Sequence, residues 1–361
     1  MKHFQKHLLF FVVSCFLSLP SSLQAGIQKS TIAMCAKTGK IFSARNADAI
    51  THPASLTKMM TLYLAFKAVD AGHLHMDQKL PVSKYAASRA PCKLGLRAGH
   101  FISLRHAILG SVTKSANDAS SVIGETLGCG SVTKFAKIMT EQARQLGMTK
   151  TVFKNADGLP DPQQITTARD MALLAQALYR DYPHHFHVFK EKSFSYKGVV
   201  HGNHNTLLGR LKGMDGIKTG FVNASGSNLA ASVVRDNQRI IAVVMGQPGR
   251  QARNSQMVKL VEATYANLKR NPTQSEEVYA SINDILAQQP SLKQAVYVPS
   301  KKSFKAETLD DLFATMVDKN PVKKASVTTK KHSKKFSKSS KKFSKIASKK
   351  KSKKHKRKIS A

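Results

Sequence analysis

Acid is what this chain has least of: 21 aspartates and glutamates stand against 58 lysines and arginines, a net charge of +37 over 361 residues. An excess of base on that scale predicts a polyanionic partner. The shortage is uneven, because residues 321–361 contain no acid at all beside seventeen lysines and Arg357. The basic character therefore belongs first to the tail. Long apolar runs are missing too. The stretch Leu8 to Leu19 is too short to span a membrane. With Lys2 and Lys6 before it and the small-residue exit Leu23-Gln24-Ala25 after it, residues 1–25 have the layout of an export signal. Cysteines are few. Beyond the signal only Cys35, Cys92 and Cys129 remain, so one disulfide at most is expected, of unspecified pairing, or three buried thiols.

Val12-Val13-Ser14-Cys15 has the form of a lipoprotein processing box, which would put a lipid on Cys15, but the apolar run continues past the cysteine where such signals turn polar. The chain beyond the signal is long enough, and apolar enough, to bury a real core. Thr31 to Cys35 and Ile41 to Ala44 flank Lys37-Thr38-Gly39-Lys40 and read as a hairpin. From about Gly72 to Arg180 the pattern is mostly helical, with Val132, Phe135, Ala136, Met139, Ala143 and Leu146 at helical spacing. Three apolar strands come next, Gly216 to Val222, Asn228 to Val234 and Arg239 to Met245, before a closing helix from Ala252 to Leu268. Strands from both ends and helices from the middle predict an α+β fold: an antiparallel sheet covered by helices, with an inserted helical lobe. Residues 26–270 make that domain. Residues 271–320 read as a linker with short helices, and 321–361 as a disordered Lys/Ser-rich tail in which Lys334-Lys335-Phe336-Ser337-Lys338 recurs at Lys341 to Lys345.

The chemistry centres on Pro53-Ala54-Ser55-Leu56-Thr57-Lys58 and the apolar run behind it. Proline suits a helix entry, and residues three apart share a helix face, so the Lys58 amine can reach the Ser55 hydroxyl and take its proton. That is a nucleophile with its own base. A lysine of ordinary pKa is a poor base at neutral pH, so desolvation or a second cation must keep Lys58 neutral. Ser111-Val112-Thr113-Lys114 and Ser131-Val132-Thr133-Lys134 match the same spacing. Ser111 falls at the end of a helical stretch, its hydroxyl expected toward the loop, and Ser131 reads as a helix N-cap. Lys37-Thr38-Gly39 duplicates Lys218-Thr219-Gly220 but sits in a hairpin turn.

Order separates signal from decoy. Ser55-x-x-Lys58, Ser115-Ala116-Asn117 and Lys218-Thr219-Gly220 come in the sequence used by penicillin-binding proteins and class A β-lactamases, at a helix start, an inter-helix loop and a strand. From about Ile27 to Arg270 the chain resembles the serine-type D-alanyl-D-alanine carboxypeptidases, the low-molecular-mass penicillin-binding proteins, also through Lys93 to Arg97, Asn155 to Leu159 and Thr167 to Leu173. Ala116 departs from the usual aspartate of the middle motif. The resemblance implies a β-lactamase/transpeptidase-like fold and an acyl-enzyme on Ser55 formed with release of a terminal D-alanine. It implies Lys58 as base, Ser115 as proton relay, and Asn117 as a ligand of a substrate amide. Lys218 would be the second cation that depresses the Lys58 pKa, and the backbone N–H groups of Ser55 and Phe221 the oxyanion hole beside Gly220. Arg253, with the Thr219 hydroxyl, would clamp the substrate carboxylate; the plain alternative for Arg253 is a solvated residue at a helix start.

The implied partners are peptidoglycan stem peptides, β-lactams as covalent inhibitors, and an anionic membrane or cell-wall surface met by the tail. The implied place is the periplasm or cell envelope, with peripheral membrane association through the tail. The nearest rival, a β-lactamase, needs a loop glutamate to clear its acyl-enzyme, and no glutamate lies between Glu141 and Glu191, although Asp157 and Asp161 do. A D,D-endopeptidase of the same fold is a second rival. An exported polyanion-binding protein with an inert enzyme domain is a third, favoured by Lys354-His355-Lys356-Arg357-Lys358, yet the export signal argues against nucleic acid and the intact motifs against inertness. His184-His185-x-His187 and His201-x-x-His204 have no acid or cysteine placed beside them by sequence, so hydrogen-bonded histidines are expected, with neither metal nor cofactor.

Overall fold

Strand β1 (Ser30–Cys35) is buried along its whole length, and alternate residues enter different cores: Ile32 and Met34 one, Ala33 the other. A strand covered on both faces has no solvated side to make polar, which is why it reads as a continuous apolar run. The computed structural model describes residues 27–271. The export signal, the linker beyond Asn271 and the basic tail lie outside the described residues. β1 turns through Gly39, at φ 74°, into β2 (Ile41–Arg45), so Lys37-Thr38-Gly39 is the hairpin turn expected of it.

A 3-10 turn, Ala54–Thr57, then leads into α1 (Lys58–Asp70), which is buried without a break from Lys58 to Phe66. Around it lie α2 (Lys84–Ser88), α3 (Leu104–Val112), α4 (Asn117–Leu127), α5 (Val132–Gln145) and α6 (Ala168–Asp181). The Ser131 hydroxyl accepts from Lys134 N at the start of α5, the capping role expected of it. Ser111 differs from expectation. It is buried between α3 and α4, bonding Ala107 O and Ser120 Oγ, because the α3 stretch runs three residues further than its apolar pattern suggested.

Two antiparallel ribbons in this region were not expected: β3 (Lys79–Pro81) with β4 (Phe101–Ser103), and β5 (Ser193–Tyr196) with β6 (Val199–Gly202). The chain returns to the main sheet as β7 (Met214–Val222), β8 (Gly226–Arg235) and β9 (Gln238–Gln247), and closes with α7 (Arg250–Arg270). The antiparallel order is β2-β1-β9-β8-β7. Ile241, Val243 and Met245 of β9 meet the core containing α1 and α6, while Ile240, Ala242 and Val244 meet the one containing Met257, Leu260 and Val261 of α7. Helices thus cover both faces of one sheet, the α+β arrangement expected from the order of elements. Strand β7 runs along the 3-10 turn that carries Ser55, and so brings the two ends of the domain together at one groove.

Candidate active site

The backbone enters this groove under strain. Ala54 sits at φ 50°, a left-handed conformation costing an L-residue about 1–2 kcal/mol, and it swings Ser55 to the mouth of a turn whose other residues are buried. Two close approaches hold it there. A Cβ on Gly158, at φ 80°, would run into the Ala54 carbonyl and Ser55 Cα, and one on Gly220 would lie 3.0 Å from Ser55 N. Only glycine lets the loop after Asn155 and strand β7 close on the serine from either side.

Lys58 is fully buried, and its Nζ lies 3.1 Å from Ser55 Oγ and 2.8 Å from Asn117 Oδ1. It also donates to the backbone carbonyl of Asp157. Burial lowers its pKa from the ordinary lysine value to about 8, with Asp157 pulling the other way. Lys218, equally buried on β7, donates to Thr219 O at 3.1 Å, and its pKa falls well below the ordinary value, through burial first and Lys58 second. The sequence expectation made Lys218 the source of the Lys58 depression. In the structure burial is the main source, and repulsion between the two amines falls mostly on Lys218. Both move down, since two ammonium groups here would share one dry pocket.

Ser115, at φ 57° between α3 and α4, is buried, and its Oγ has no hydrogen-bond partner among the described residues. Asn117 opens α4 with both amide ends engaged: Oδ1 accepts from Lys58, and Nδ2 donates to Ala90 O at 3.1 Å. The groove over these groups, about 350 Å³, is lined by Ser55, Ser115, Thr219, Phe221, Arg250 and Arg253. Arg253 is 5% exposed, and its pKa falls to about 10 through burial and the neighbouring Arg250, so it keeps its charge at neutral pH. Among the described residues its guanidinium bonds only the Asn254 side-chain oxygen, and the Asn254 Nδ2 in turn donates to Thr206 Oγ1. It is therefore not the solvated residue of the plainer reading. All nine residues singled out in the sequence, from Ser55 to Arg253, come to this one groove or its floor.

Three features were not expected in the places they take. Asp157 is wholly buried, its carboxylate bonded to Arg89 (2.7 Å), Ser121 (2.9 Å) and the Leu159 N–H (2.9 Å). Burial opposes its charge, but Arg89 and Lys58 outweigh that and keep its pKa below the ordinary carboxylate range. His204 lines the groove with its pKa lowered to about 4, by burial and then by Lys218, so it is neutral there. Cys92, a free thiol, lines it too, and its carbonyl accepts from Asn117 N; Cys35 is also free. Elsewhere, His184 and His185 do meet an acid: Asp70, 114 residues away in sequence, accepts from both. The histidines are hydrogen-bonded, as expected; their acid could not be placed from the sequence because it comes from the end of α1, which meets the turn after α6.

A hydroxyl beside a buried amine, under a groove lined by a buried guanidinium, is the arrangement of a serine acyl-transfer enzyme. Relatives narrow the class. The family profile for D-alanyl-D-alanine carboxypeptidase, Peptidase S11, matches residues 20–249. The chain is 30% identical over 318 residues to D-alanyl-D-alanine carboxypeptidase DacA of Haemophilus influenzae, covering 85% of this chain and 78% of that one. Penicillin binding protein 5 of Haemophilus influenzae superposes with a TM-score of 0.63 at 33% identity, over 66% of this chain and 70% of that one. Penicillin-binding protein D2 of Listeria monocytogenes, solved with ampicillin bound, gives 0.57 at 30% identity, over 65% and 96%. The chain belongs to the D-alanyl-D-alanine carboxypeptidase family of serine hydrolases, the low-molecular-mass penicillin-binding proteins. Its fold is the β-lactamase/transpeptidase-like fold of those neighbours.

Proposed function

We propose that Ser55 removes the last D-alanine from peptidoglycan stem peptides through an acyl-enzyme, and that Lys58 is its base. A neutral amine has two N–H donors and one lone pair. With Asn117 Oδ1 and the Asp157 carbonyl accepting the two N–H groups, the lone pair is left for the Ser55 O–H. Asn117 thus orients the base, in addition to the substrate-amide contact implied by the family. Attack of Oγ on the penultimate D-alanine carbonyl moves the hydroxyl proton to Lys58. The oxyanion then lies between the N–H groups of Ser55 and Phe221, which can approach because Gly220 has no Cβ. When the C–N bond breaks, the amine of the leaving D-alanine takes the proton by way of Ser115, whose hydroxyl has no other partner among the described residues. Water then cleaves the ester.

The observation that carries the carboxypeptidase reading is Arg253, a buried guanidinium with no carboxylate of its own among the described residues. It fits the free carboxylate of a C-terminal D-alanine, with the Thr219 hydroxyl as second donor. β-Lactamase action is disfavoured because the Asp157 carboxylate is taken by Arg89, Ser121 and Leu159 and is not free to activate water. β-Lactams carry a matching carboxylate and should acylate Ser55 and stay. The test pairs two variants. Ser55→Ala should abolish covalent penicillin labelling, while Arg253→Ala should lower turnover of a D-Ala-D-Ala peptide about tenfold or more yet spare acylation by an ester lacking the carboxylate. Equal losses on both substrates would make Arg253 structural.

The catalytic unit is then residues 26–270, preceded by an export signal and working in the cell envelope. The tail of 321–361 is proposed as an electrostatic tether to anionic lipid or wall polymer, each lysine near such a surface adding about 1 kcal/mol. Deleting it should abolish salt-sensitive binding to anionic vesicles and leave turnover of a soluble peptide unchanged; vesicle binding that survives the deletion would dismiss the tether.

A further inference from the structure

Far from the groove, three metal-binding side chains meet where α1 ends. Asp70 is the last residue of α1, and its Oδ1 lies 3.0 Å from His184 Nε2 and 2.8 Å from His185 Nε2. All three ligand atoms fall within 4.8 Å of one another. A tetrahedral zinc ion with bonds near 2.0–2.1 Å holds its ligand atoms roughly 3.3–3.4 Å apart, so the two Asp70 contacts need to open by only a few tenths of an ångström, and the two imidazole nitrogens, already within 4.8 Å of each other, need only a small ring adjustment. We propose that Asp70, His184 and His185 bind a first-row transition ion, zinc by preference, as a structural site unconnected with the hydrolytic chemistry.

Four features support this over a plain hydrogen-bonded trio. The His185 ring is fixed in advance, stacked on Phe66 one turn back along α1 at 4.8 Å and 15°. The neighbouring backbone turn is held by His187, whose Nδ1 bonds the His184 carbonyl at 2.8 Å. Helix carbonyls at the end of α1 favour a cation there. Finally, His184 and Asp70 are exposed, which gives an ion a path of entry and leaves its fourth position to water. Without an ion each Nε2 carries the proton that Asp70 accepts; metal binding requires that proton to leave or to move to Nδ1, so that the Nε2 lone pair faces the ion. Two imidazole nitrogens and one carboxylate suit zinc, nickel or copper, whereas magnesium and calcium demand oxygen ligands.

The site would pin the end of α1 to the turn that opens the 3-10 segment Phe186–Lys190, which packs on β7. It lies about 18 Å along the helix from Lys58, so it braces the site's supports without touching reactants. The test uses full-length protein, treated with a chelator, dialysed and titrated with zinc chloride, beside His184→Asn and Asp70→Asn. Wild type should retain one more zinc per chain than either variant, and zinc should raise its melting temperature where magnesium chloride does not. The variants should bind at that site at least about tenfold more weakly and should still be acylated by fluorescent penicillin at the wild-type rate. His184 is exposed, so its variant should fold. Equal zinc content and equal thermal response in wild type and both variants would place any bound zinc elsewhere, for example on His332 or His355, and would overturn the proposal, as would no zinc uptake by wild type at about 100 µM.

Discussion

If Lys58 takes the Ser55 proton, the rate of acylation must follow the neutral fraction of its amine. With a pKa of about 8, roughly one molecule in ten has the base ready at pH 7, half at pH 8 and nine in ten at pH 9. An ordinary lysine would be ready in only about one molecule in 2,500 at pH 7, so the depression raises base availability by two orders of magnitude, about 3 kcal/mol. The second-order rate constant for acylation by a fluorescent penicillin, whose carboxylate does not titrate in this window, should rise about tenfold from pH 6 to 7 and about tenfold again from pH 7 to 9, then level. The apparent midpoint belongs to the Lys58–Lys218 pair, not to one amine. A rate that is flat from pH 6 to 9, or that falls with pH, would refute the reasoning. Stability has a matching sign. The folded-state pKa lies below the unfolded one, so between about 8 and 10.5 the unfolded chain binds more protons and stability rises with pH. Below pH 8 the burden of about 3 kcal/mol is fully present. Lys58→Met should reduce this rise in urea midpoints compared between pH 8 and 9.5, leaving the part contributed by Lys218, whose pKa is lowered as well.

Two further perturbations concern the neighbours of the base. Gly158→Ala adds a Cβ against the Ala54 carbonyl at a residue with φ 80°; it should cost about 2 kcal/mol in thermal unfolding and slow acylation at least about tenfold, and an unchanged acylation rate would mean that the loop does not position Ser55. Asp157→Asn leaves Arg89 without its carboxylate in a site where Asp157 is wholly buried, a loss of about 3 kcal/mol by chemical denaturation. Because the Asp157 charge raises the Lys58 pKa, its removal should also move the acylation midpoint to lower pH; a midpoint moving upward would contradict the electrostatic account.

The large elements were legible because each carries a pattern long enough to be recognised. β8 and β9 run ten residues each and show as short apolar runs bounded by turn residues, while α7 runs 21 and buries Met257, Leu260, Val261, Thr264 and Leu268 at helical spacing. The ribbon of Lys79–Pro81 with Phe101–Ser103 has three residues a side, too few for an alternation to be seen, and its pairing depends on a partner more than twenty residues away. The 3-10 turn at Ala54–Thr57 was read as the first turn of α1 for a related reason. Proline, an apolar run and a serine-lysine spacing of three mark a helix entry, while the left-handed Ala54 that reshapes it leaves no mark in residue type. Ser111 shows the opposite error: its hydroxyl looked loop-facing from its position, yet it satisfies itself on Ala107 O and Ser120 Oγ inside the helix pair.

At the site, legibility tracked whether a side chain or the backbone does the work. Ser55, Lys58, Asn117 and Lys218 act through functional groups that only those residue types possess, so they leave motifs. The third partner of Lys58 is the carbonyl of Asp157, a group present on every residue. What fixes that carbonyl is the aspartate side chain, buried against Arg89 and Ser121, together with a glycine that lets the loop reach Ala54. Sequence offered Asn155 to Leu159 as a segment of family resemblance, and its one acid as the opening for a β-lactamase reading; the fold turns that acid into an anchor. The low pKa of Lys58 has a similar history. A second cation was the evident explanation, but Met59, Met60 and Leu62, which make the apolar run after the lysine, are completely buried and take Lys58 out of water with them. The positive end of α1, which begins at Lys58, disfavours an ammonium there as well. The same run that forms the central helix of the lobe therefore creates the base, and a polar substitution that opened this helix to water would raise the Lys58 pKa before it unfolded the domain.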